Sequence, residues 1–472
     1  MAFALLIDFG STYTKLRCVD LEAAAVVGTA QGPSTVTTDV TAGLDAALTN
    51  LEAEMGGLPD FAHRLASSSA AGGLKMMTIG LVPDLTAKAA RAAALGAGAK
   101  LAGAYSFELT AGDVAEIVAG APDMVLLSGG TDGGNRKVIE HNAGTLAESA
   151  LAAPIVVAGN RSVADGVASA LDAAGKTVIV TENVMPRHLE LNIEPAREAI
   201  RQLFIRHIVH AKGIDKAADR LDAVLMPTPA AVLKGAQLLA DGHGDAAGLG
   251  PLMVVDIGGA TTDVHSICSG DPSQSGVIFH GLQEPYAKRT VEGDLGMRHT
   301  ARHVVDAAGA AAFAGGLGWT AEDVEAALSG IEADVERLPE TDAERAFDTA
   351  LATAATRISV ARHAGTLETV YTATGPATMQ RGKDLSIIET VIGTGGVLVH
   401  GERPAAVLSA ALASESDPLS LRPADARLML DQDYAIYAAG LLADAEPEAA
   451  LKMGLAGMHD VQPLDTRERD HG

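Results

Sequence analysis

Two aspartates, Asp8 and Asp256, each end a short apolar run and precede glycine and small hydroxyl residues. The first segment, residues 3–15, reads FALLIDFGSTYTK, and the second, residues 252–264, reads LMVVDIGGATTDV. An apolar run of this length that ends near glycine is typical of a buried strand followed by a tight turn. An aspartate at the end of such a strand, beside a phosphate, usually holds Mg2+ through water. The pattern predicts two acidic turns that grip one phosphate chain from opposite sides.

The residues after each aspartate are of types that bind phosphate through backbone and hydroxyl groups. Glycine permits close approach of the backbone, and consecutive N–H groups form a concave anion site. Lys15 either adds positive charge at the first turn or is a solvated strand residue, and Asp263 either supports the metal site or caps the second turn. The predicted phosphate-binding residues are Gly10, Ser11, Thr12 and Lys15 at the first turn and Gly258, Gly259, Thr261 and Thr262 at the second.

Two acidic turns half a chain apart resemble the ATPase superfamily of actin, Hsp70 and sugar kinases. Residues 227–239 (PTPAAVLKGAQLL) and 433–442 (DYAIYAAGLL) resemble its two interdomain helices, and residues 391–400 (VIGTGGVLVH) resemble its adenosine loop. The resemblance implies ATP and Mg2+ as cofactors, with Asp8 and Asp256 as the catalytic and metal-binding residues. It also implies that small residues of the adenosine loop support the base and ribose, namely Gly393, Thr394, Gly395 and Gly396.

The predicted fold is α/β, with a two-lobed actin/Hsp70-like (ribonuclease H-like) ATPase and an inserted doubly wound α/β domain. Residues 61–182 alternate strands and helices with short turns, which is typical of a parallel sheet of flavodoxin-like or Rossmann-like shape. The predicted domains are residues 1–60 as the N-terminal part of the first lobe, 61–182 as the insertion, 183–240 as the return to the first lobe and the interdomain helix, 241–432 as the second lobe, and 433–472 as the second interdomain helix and tail.

The predicted insertion has a glycine-rich turn of its own, residues 128–135 (SGGTDGGN), between a strand and a helix. Doubly wound folds bind ligands at the carboxyl edge of the sheet, and a helix N-terminus beside glycine can bind an anion. A second loop, residues 159–162, would lie at the same edge. The sequence predicts either a ligand- or partner-binding edge or two ordinary turns, and the candidate partner-binding residues are Asp132, Asn135 and Arg136.

Composition limits the classes of partner. The chain has 472 residues, 48% of them apolar, and a formal net charge of −25. This acidity argues against binding of nucleic acid or anionic membranes, which carry charge of the same sign. Two cysteines, Cys18 and Cys268, fit a reducing cytosol. No apolar stretch is long enough to span a bilayer, and Asp8 and Lys15 interrupt the N-terminal run. We therefore predict a cytoplasmic protein.

Longer segments narrow the resemblance to the MutL family linked to glutamate mutase (GlmL), which is distinct from the DNA mismatch-repair protein of the same name. The similar segments are residues 67–109, LLSGGTDGGN (126–135), VVDIGGATTDVHSI (254–267) and RTVEGDLGMR (289–298). The resemblance spans nearly the whole chain. It implies an accessory protein for an adenosylcobalamin-dependent mutase, of the glutamate mutase or aminomutase type, which uses ATP to release damaged cofactor.

One position departs from the superfamily pattern. Many members carry an acid or amide near the start of the first interdomain helix, where this chain has Thr228. Phosphoryl chemistry needs a residue that positions or deprotonates the attacking water or alcohol, so the threonine argues against fast hydrolysis and against kinase chemistry. The leading prediction is a slow ATPase that acts as a reactivating chaperone. A metabolic kinase and a non-hydrolysing nucleotide-binding scaffold remain alternatives, and the client mutase and any homo-oligomeric state stay open.

Overall fold

The chain forms two α/β units, each built around a central sheet. A computed structural model describes residues 2–10, 13–35, 40–68, 74–208, 221–373 and 375–461. The first unit comprises residues 1–235, 281–285 and 437–453, and the second comprises residues 236–280, 286–436 and 454–472. The predicted tail after residue 461 therefore lies outside the described residues.

The first unit contains a five-stranded sheet formed by β1 (Phe3–Phe9), β2 (Tyr13–Asp20), β3 (Ala25–Pro33), β4 (Phe61–Ser68) and β10 (Ala223–Pro227). Their order is β10-β4-β1-β2-β3. The strands β1, β2 and β3 pair antiparallel, whereas β4 and β10 run parallel to β1. The helix α1 (Val40–Met55) contributes to the apolar cluster that buries β1. A central strand of this kind requires a continuous apolar run, which is what precedes Asp8.

Between β4 and β10 the chain builds a second sheet of five parallel strands. Its elements are β5 (Leu74–Gly80), α2 (Thr86–Gly96), β6 (Ala99–Ser106), α3 (Ala111–Ala119), β7 (Met124–Leu127), α4 (Lys137–Glu148), β8 (Ile155–Val157), α5 (Arg161–Ala173), β9 (Val178–Val180) and α6 (Glu194–Leu203). The order β6-β5-β7-β8-β9 is that of flavodoxin-like folds. Residues of α2 and α6 join one apolar cluster, and those of α3, α4 and α5 join the other. The predicted inserted doubly wound domain is confirmed.

Both ends of the insertion differ from the predicted boundaries. The strand β4, which the sequence assigned to the insertion, pairs along its length with β1 in the first sheet. At the other end, α6 was assigned to the first lobe, but Ala196, Ile200 and Leu203 pack in the apolar cluster of α2 and β5. Strand pairing and helix packing are non-local, so alternating elements alone could not locate these boundaries.

The second unit repeats the topology of the first sheet. Its six strands are β11 (Leu252–Ile257), β12 (Thr262–Ile267), β14 (Ala287–Glu292), β17 (Thr390–Thr394), β18 (Arg427–Asp431) and β19 (Met458–Val461), in the order β14-β12-β11-β17-β18-β19. Again three strands pair antiparallel and two follow in parallel. This repeat confirms the predicted two-lobed, ribonuclease H-like α/β fold. The strand β19 pairs antiparallel with β18 and was missed within the predicted C-terminal segment.

The other elements of the second unit cover its sheet or form a small second one. The helices are α8 (Ala301–Ala308), α9 (Ala310–Leu317), α10 (Ala321–Ala333), α11 (Asp342–His363), α12 (Gly396–Val399) and α13 (Pro404–Ser409). They share one apolar cluster with the central strands. A three-stranded sheet is formed by β13 (Val277–His280), β15 (Thr366–Thr372) and β16 (Gly375–Arg381).

Both predicted interdomain segments are helical. They are α7 (Thr228–Asp241) and α14 (Ala435–Leu442), and α14 is followed by α15 (Pro447–Ala456). The division between the units falls inside α7, after Gly235, and inside α14, after Ile436. In the first unit, Arg17 Nε donates a hydrogen bond of 2.9 Å to the Tyr437 hydroxyl, which attaches α14 to β2. Across the described residues, we find no helix that combines the length and apolar character needed to cross a membrane.

Candidate functional site

The first acidic turn centres on Asp8, at the carboxyl end of β1. Its side chain is 9% exposed, and it lies opposite Lys15 on β2 and Ser67 on β4. Asp8 Oδ1 accepts hydrogen bonds from Thr228 Oγ1 (2.6 Å) and from Ser67 Oγ (3.2 Å). Within the described ranges, no group donates a hydrogen bond to Oδ2. The carboxylate is therefore held by one oxygen and leaves the other for a metal or its water.

The surroundings of Asp8 act on its charge in opposite directions. Burial raises the pKa of Asp8 above its ordinary value, while the hydrogen bond from Thr228 and the charge of Lys15 offset part of the rise. A divalent cation beside the carboxylate would favour the charged form further. An aspartate that is costly to keep charged without a cation is a suitable metal-binding group.

Gly10 shapes the backbone of the first turn. Its N–H donates to Asp8 O (3.1 Å) and to Tyr13 O (3.0 Å), and Ser34 Oγ donates to Gly10 O (2.7 Å). A Cβ on Gly10 would lie 2.7 Å from Tyr13 O, so a side chain would not fit without movement of the turn. The predicted phosphate-binding residues Ser11 and Thr12 lie outside the described residues.

The second acidic turn follows β11 and is braced by the segment after β14. Asp256 is half-buried and lies opposite Asp263 on β12 and Thr394 on β17. Gly258 N–H closes the turn on Thr261 O at 2.9 Å. The exposed Gly259 accepts at its carbonyl the N–H groups of residues 298 (2.8 Å) and 299 (2.9 Å). The predicted glycine residues thus lie in a turn whose shape is set by its own backbone bonds.

The hydroxyl and acidic residues of the second turn have different surroundings. Thr262 is fully buried and donates its hydroxyl to Leu295 O, so that this hydroxyl is used within the fold rather than at a phosphate. Thr261 Oγ1 donates to Asp263 Oδ2 at 3.3 Å. Asp263 is itself paired with Arg289, whose Nε and Nη2 lie 2.8 and 2.6 Å from Oδ1. Of the two alternatives for Asp263, this geometry favours support of the turn.

Behind this turn, β12 and α11 bury two histidines. His265 is 1% exposed, and its Nδ1 has no hydrogen-bond partner among the described residues. Burial lowers the pKa of His265 to about 3, and the charge of Arg289 acts in the same direction. His363 is also fully buried, between Thr290 Oγ1 (2.7 Å) and Ser266 Oγ (2.8 Å), and burial lowers its pKa well below the ordinary value. Both rings are neutral in the folded protein.

These neutral histidines predict an acid-sensitive fold. Between pH 6.5 and about 3, unfolded His265 binds a proton that the folded protein excludes. The free energy of unfolding therefore decreases as the pH falls below 6.5, by up to about 1.4 kcal/mol per pH unit for this residue. We expect His265→Leu to flatten the slope of unfolding free energy between pH 6 and 5, measured by urea titration. The exposed His400→Leu should keep the wild-type slope, and an unchanged slope in His265→Leu would contradict the assignment.

The predicted adenosine loop runs from the end of β17 into α12. Gly395 has φ of +99°, and a Cβ there would lie 3.0 Å from Ile257 C, so this glycine lets the loop lie against the end of β11. Gly396 is exposed with open space beside its Cα. Gly393 is buried, where a Cβ would lie 2.8 Å from Leu408 Cδ2, which indicates a packing role. Thr394 is buried, and its Oγ1 lies 3.5 Å from Asp431 Oδ2.

Asp431 is a third aspartate at a strand end, but it serves a helix. It is 2% exposed, and its carboxylate accepts the N–H groups of Ala435 (2.5 Å) and Ile436 (3.3 Å) at the start of α14. This is a charge-assisted helix cap. This cap was not predicted from the sequence, in which the apolar residues Leu428, Met429 and Leu430 precede Asp431 but no glycine turn follows it.

Hydrogen bonds with neighbouring loops hold the glycine-rich turn of the insertion (residues 128–135) in place. Asp132 Oδ1 accepts hydrogen bonds from Arg161 N–H (3.0 Å) and Asn183 Nδ2 (3.0 Å). Asn160 Nδ2 donates to Asn135 O at 3.1 Å. The carboxylate of Asp132 thus lies at the N-terminus of α5, where a negative charge is stabilised by the helix dipole.

Two of the three predicted partner-binding residues take part in hydrogen bonds that hold these loops. Asn135 Oδ1 accepts the Val138 N–H at 3.2 Å and so caps the start of α4. Asp132 and Asn135 therefore shape the loop, whereas the side chain of Arg136 is exposed. The side chain of Arg161 is 82% exposed and lies on the adjoining loop, which the Asn160–Asn135 bond joins to the first. Two exposed cations thus share this edge of the sheet.

A metal at this site would be held by few protein groups. The described residues contain no cluster of three or more His, Cys, Asp or Glu side chains that could hold an ion. Asp8 lies at the first acidic turn and Asp256 at the second. One carboxylate at either turn fits Mg2+, which retains most of its water and takes one or two carboxylates together with phosphate oxygens.

The supporting contacts of three residues were not predicted from the sequence. Ser67 and Thr228 bind Asp8 from β4 and from the start of α7, and Arg289 binds Asp263 from β14. Ser67 had a weak signal, because it begins a run of three serines after Leu65 and Ala66. Arg289 had none, since its partner depends on the pairing of β12 with β14.

Comparison with known proteins adds a family assignment. A protein-family model described as MutL protein matches residues 4–456. A curated relative from Clostridium tetanomorphum, named Protein MutL, is 48% identical over 450 residues, which cover 95% of this chain and 97% of the relative. Among solved structures, the activator of the 2-hydroxyisocaproyl-CoA dehydratase from Clostridium difficile with bound ADPNP is 9% identical, with 98% of this chain and 99% of that one covered and a TM-score of 0.31. A solved structure of glycerol dehydratase reactivase is 11% identical, with 96% of this chain and 100% of that one covered and a TM-score of 0.33.

Proposed function

Because this chain belongs to the MutL protein family, we propose that it is an ATP-dependent accessory protein that reactivates an adenosylcobalamin-dependent mutase of the glutamate mutase or aminomutase type. One observation carries the nucleotide part of the proposal. Two sheets of the same topology each end their central strand in an aspartate followed by a glycine turn. Such turns present N–H groups to phosphate and a carboxylate to Mg2+. The mutase part rests on the family resemblance.

The environment of Asp8 supports slow hydrolysis rather than kinase chemistry. Its carboxylate is bonded to two hydroxyl groups, of Thr228 and Ser67, and neither is a base at neutral pH. A water attacking phosphate would then be oriented mainly by the metal and by backbone groups. In this proposal ATP binding and release act as a timer, and the change in conformation opens a mutase that holds damaged cofactor.

Single-turnover phosphate release from Mg-ATP separates this proposal from its two alternatives. The protein is measured alone, with glutamate mutase holding hydroxocobalamin, and with the same mutase holding intact cofactor. A reactivating ATPase should release phosphate faster with the inactivated complex and free the hydroxocobalamin, which is followed by its absorbance. A kinase would need a small acceptor, and a scaffold would release no phosphate. Equal release under all three conditions would contradict the proposal.

The contact surface for the mutase is proposed at the carboxyl edge of the inserted sheet. Support comes from two exposed arginines, Arg136 and Arg161, on loops that the Asn160–Asn135 hydrogen bond joins, in a chain with a net charge of −25. Arg161 Nε also lies 3.7 Å from Asp132 Oδ2. Local positive charge of this kind would attract an acidic protein surface that the net charge of the chain repels. Because Asp132 and Asn135 hold the loops in place, they would act on the partner only by shaping the patch.

Reversing the charge of the patch should weaken mutase association. We expect the double substitution Arg136→Glu and Arg161→Glu to reduce affinity at least about tenfold, mainly through the association rate, because like charges then meet. Surface plasmon resonance with immobilised glutamate mutase measures this, and ATP binding should not change. The matched control is Lys75→Glu with Lys100→Glu, two exposed lysines paired at the opposite, amino edge of β5 and β6. Equal losses in both double variants would contradict the location.

A further inference from the structure

We propose that Thr228 is a positioning residue for the metal. Its hydroxyl holds Oδ1 of Asp8, so that Oδ2 is presented to the Mg2+ that accompanies ATP, and it ties this carboxylate to the first residue of α7. The inference deepens the proposed function and rests on it, since it assumes that Asp8 serves a nucleotide-bound metal. It assigns a role to the position at which the sequence departs from the superfamily.

The residues that hold the Asp8 carboxylate lie at the ends of three neighbouring strands. The sheet order places β10, β4 and β1 side by side, all parallel. Their carboxyl ends carry Thr228, directly after Pro227, together with Ser67 and Asp8. Met226 pairs with Ser67 in register, and Ser67 pairs with Asp8. The threonine hydroxyl reaches across β4 to the aspartate because this register brings the three ends level.

The hydrogen bonds distinguish the two carboxylate oxygens of Asp8, because both are made to the same oxygen. Both described donors, Thr228 Oγ1 at 2.6 Å and Ser67 Oγ at 3.2 Å, bind Oδ1. The shorter contact identifies the threonine as the stronger anchor, since hydroxyl-to-carboxylate bonds are normally 2.5–2.7 Å long. A carboxylate held in this way has a fixed rotamer and one oxygen with free lone pairs. Supporting hydrogen bonds of this kind fix the orientation of metal-binding groups and tune their affinity.

The same contact explains why threonine suits this position. A carboxylate at residue 228 would lie within hydrogen-bond distance of Asp8, and two negative charges there would repel one another. A hydroxyl donates instead, and the positive end of the α7 dipole also favours the aspartate. Since the chain passes from the first unit to the second inside α7, Thr228 places the start of that helix against the metal-binding group.

The test compares Thr228→Val, which keeps the shape and removes the hydroxyl, with Thr228→Ser, which restores it. Binding of ATP is measured by calorimetry over a range of Mg2+ concentrations. We expect Thr228→Val to raise the half-saturating Mg2+ concentration at least about tenfold, with unchanged ATP affinity in EDTA. Thr228→Ser should stay within about threefold of wild type. Ser67→Ala, which removes the longer bond, should have the smaller effect.

The outcomes separate this inference from the proposed function. If wild-type ATP binding does not depend on Mg2+, the proposed function fails. If Asp8→Asn loses Mg2+ dependence and Thr228→Val behaves as wild type, only the positioning role is overturned. Equal impairment of Thr228→Ser and Thr228→Val would assign the residue to packing and overturn it too. Should Thr228→Val not fold, Thr228→Ala serves as the hydroxyl-free variant with the same expected shift.

Discussion

Asp8→Asn is expected to lower Mg-ATP hydrolysis at least about 100-fold, the scale seen when one group that stabilises developing charge is removed, and to raise the melting temperature of the apo protein. The two effects have one cause. Burial raises the pKa of Asp8, so the folded state disfavours its charge, and a neutral isostere removes that cost. The charge is retained because a cation needs it. Asp256→Asn should cause a similar loss of hydrolysis. Phosphate release and apo-protein calorimetry measure the two quantities.

Asp165→Asn is the matched control, since Asp165 is exposed on α5 and lies far along the chain from both acidic turns. It should change neither quantity. Wild-type hydrolysis in Asp8→Asn or Asp256→Asn would remove these residues from the metal site. A lower melting temperature in Asp8→Asn, with hydrolysis lost, would instead show that Asp8 stabilises the fold. It would contradict the claim that the folded state disfavours the charge of Asp8.

Local pattern was sufficient for the elements that depend on it. The strands β1 and β11 were predicted because a central buried strand needs an unbroken apolar run, and the aspartate–glycine pair marks where each one ends. The parallel sheet of the insertion was predicted from the alternation of strands and helices in residues 61–182. The helices α7 and α14 were predicted in a different way, by resemblance to a known superfamily. Such a resemblance identifies where the chain passes from one unit to the other, which no local pattern shows.

The remaining errors concern partners that lie far apart in sequence. The strand β4 was given to the insertion because nothing in its own sequence shows that it pairs with β1. Thr262 was predicted to bind phosphate, but its side chain is buried and its hydroxyl donates a hydrogen bond to Leu295 O. The role of Asp132 in partner binding stays a prediction, but its hydrogen bonds with Arg161 N–H and Asn183 Nδ2 could not be predicted from the local sequence. Residue type indicates what a side chain can do, and only the fold decides which partner it meets.

Both helices in which the chain changes unit begin beside an aspartate at the end of a strand. In the first unit, Thr228 at the start of α7 binds Asp8. In the second, Asp431 caps α14, and Thr394 of the predicted adenosine loop lies beside it. Each predicted nucleotide-binding segment thus contacts the end of a helix through a threonine–aspartate pair. In the proposed function, this arrangement would carry the state of the nucleotide to both helices.

Gly440→Ala is expected to destabilise the first unit by about 3 kcal/mol, at the upper end of the usual cost of overpacking. Gly440 lies in α14, where it meets α7 backbone to backbone. A Cβ there would lie 2.7 Å from Ala231 C and 2.9 Å from Gly235 N. No rotamer relieves such a collision, because the added atom is fixed to the backbone, so the two helices would have to move apart. The free energy of unfolding, from urea titration, measures the effect.

Gly144→Ala provides a control of opposite sign. Gly144 also lies within a helix of the first unit, α4, but a Cβ there would meet nothing within 4 Å. Alanine should therefore stabilise that helix by about 0.5–1 kcal/mol through its propensity alone. The same propensity gain acts at Gly440, so a net loss there measures the helix contact. If Gly440→Ala were also stabilising, α7 and α14 would not be in backbone contact, and a change in the start of α7 would have no direct route to α14.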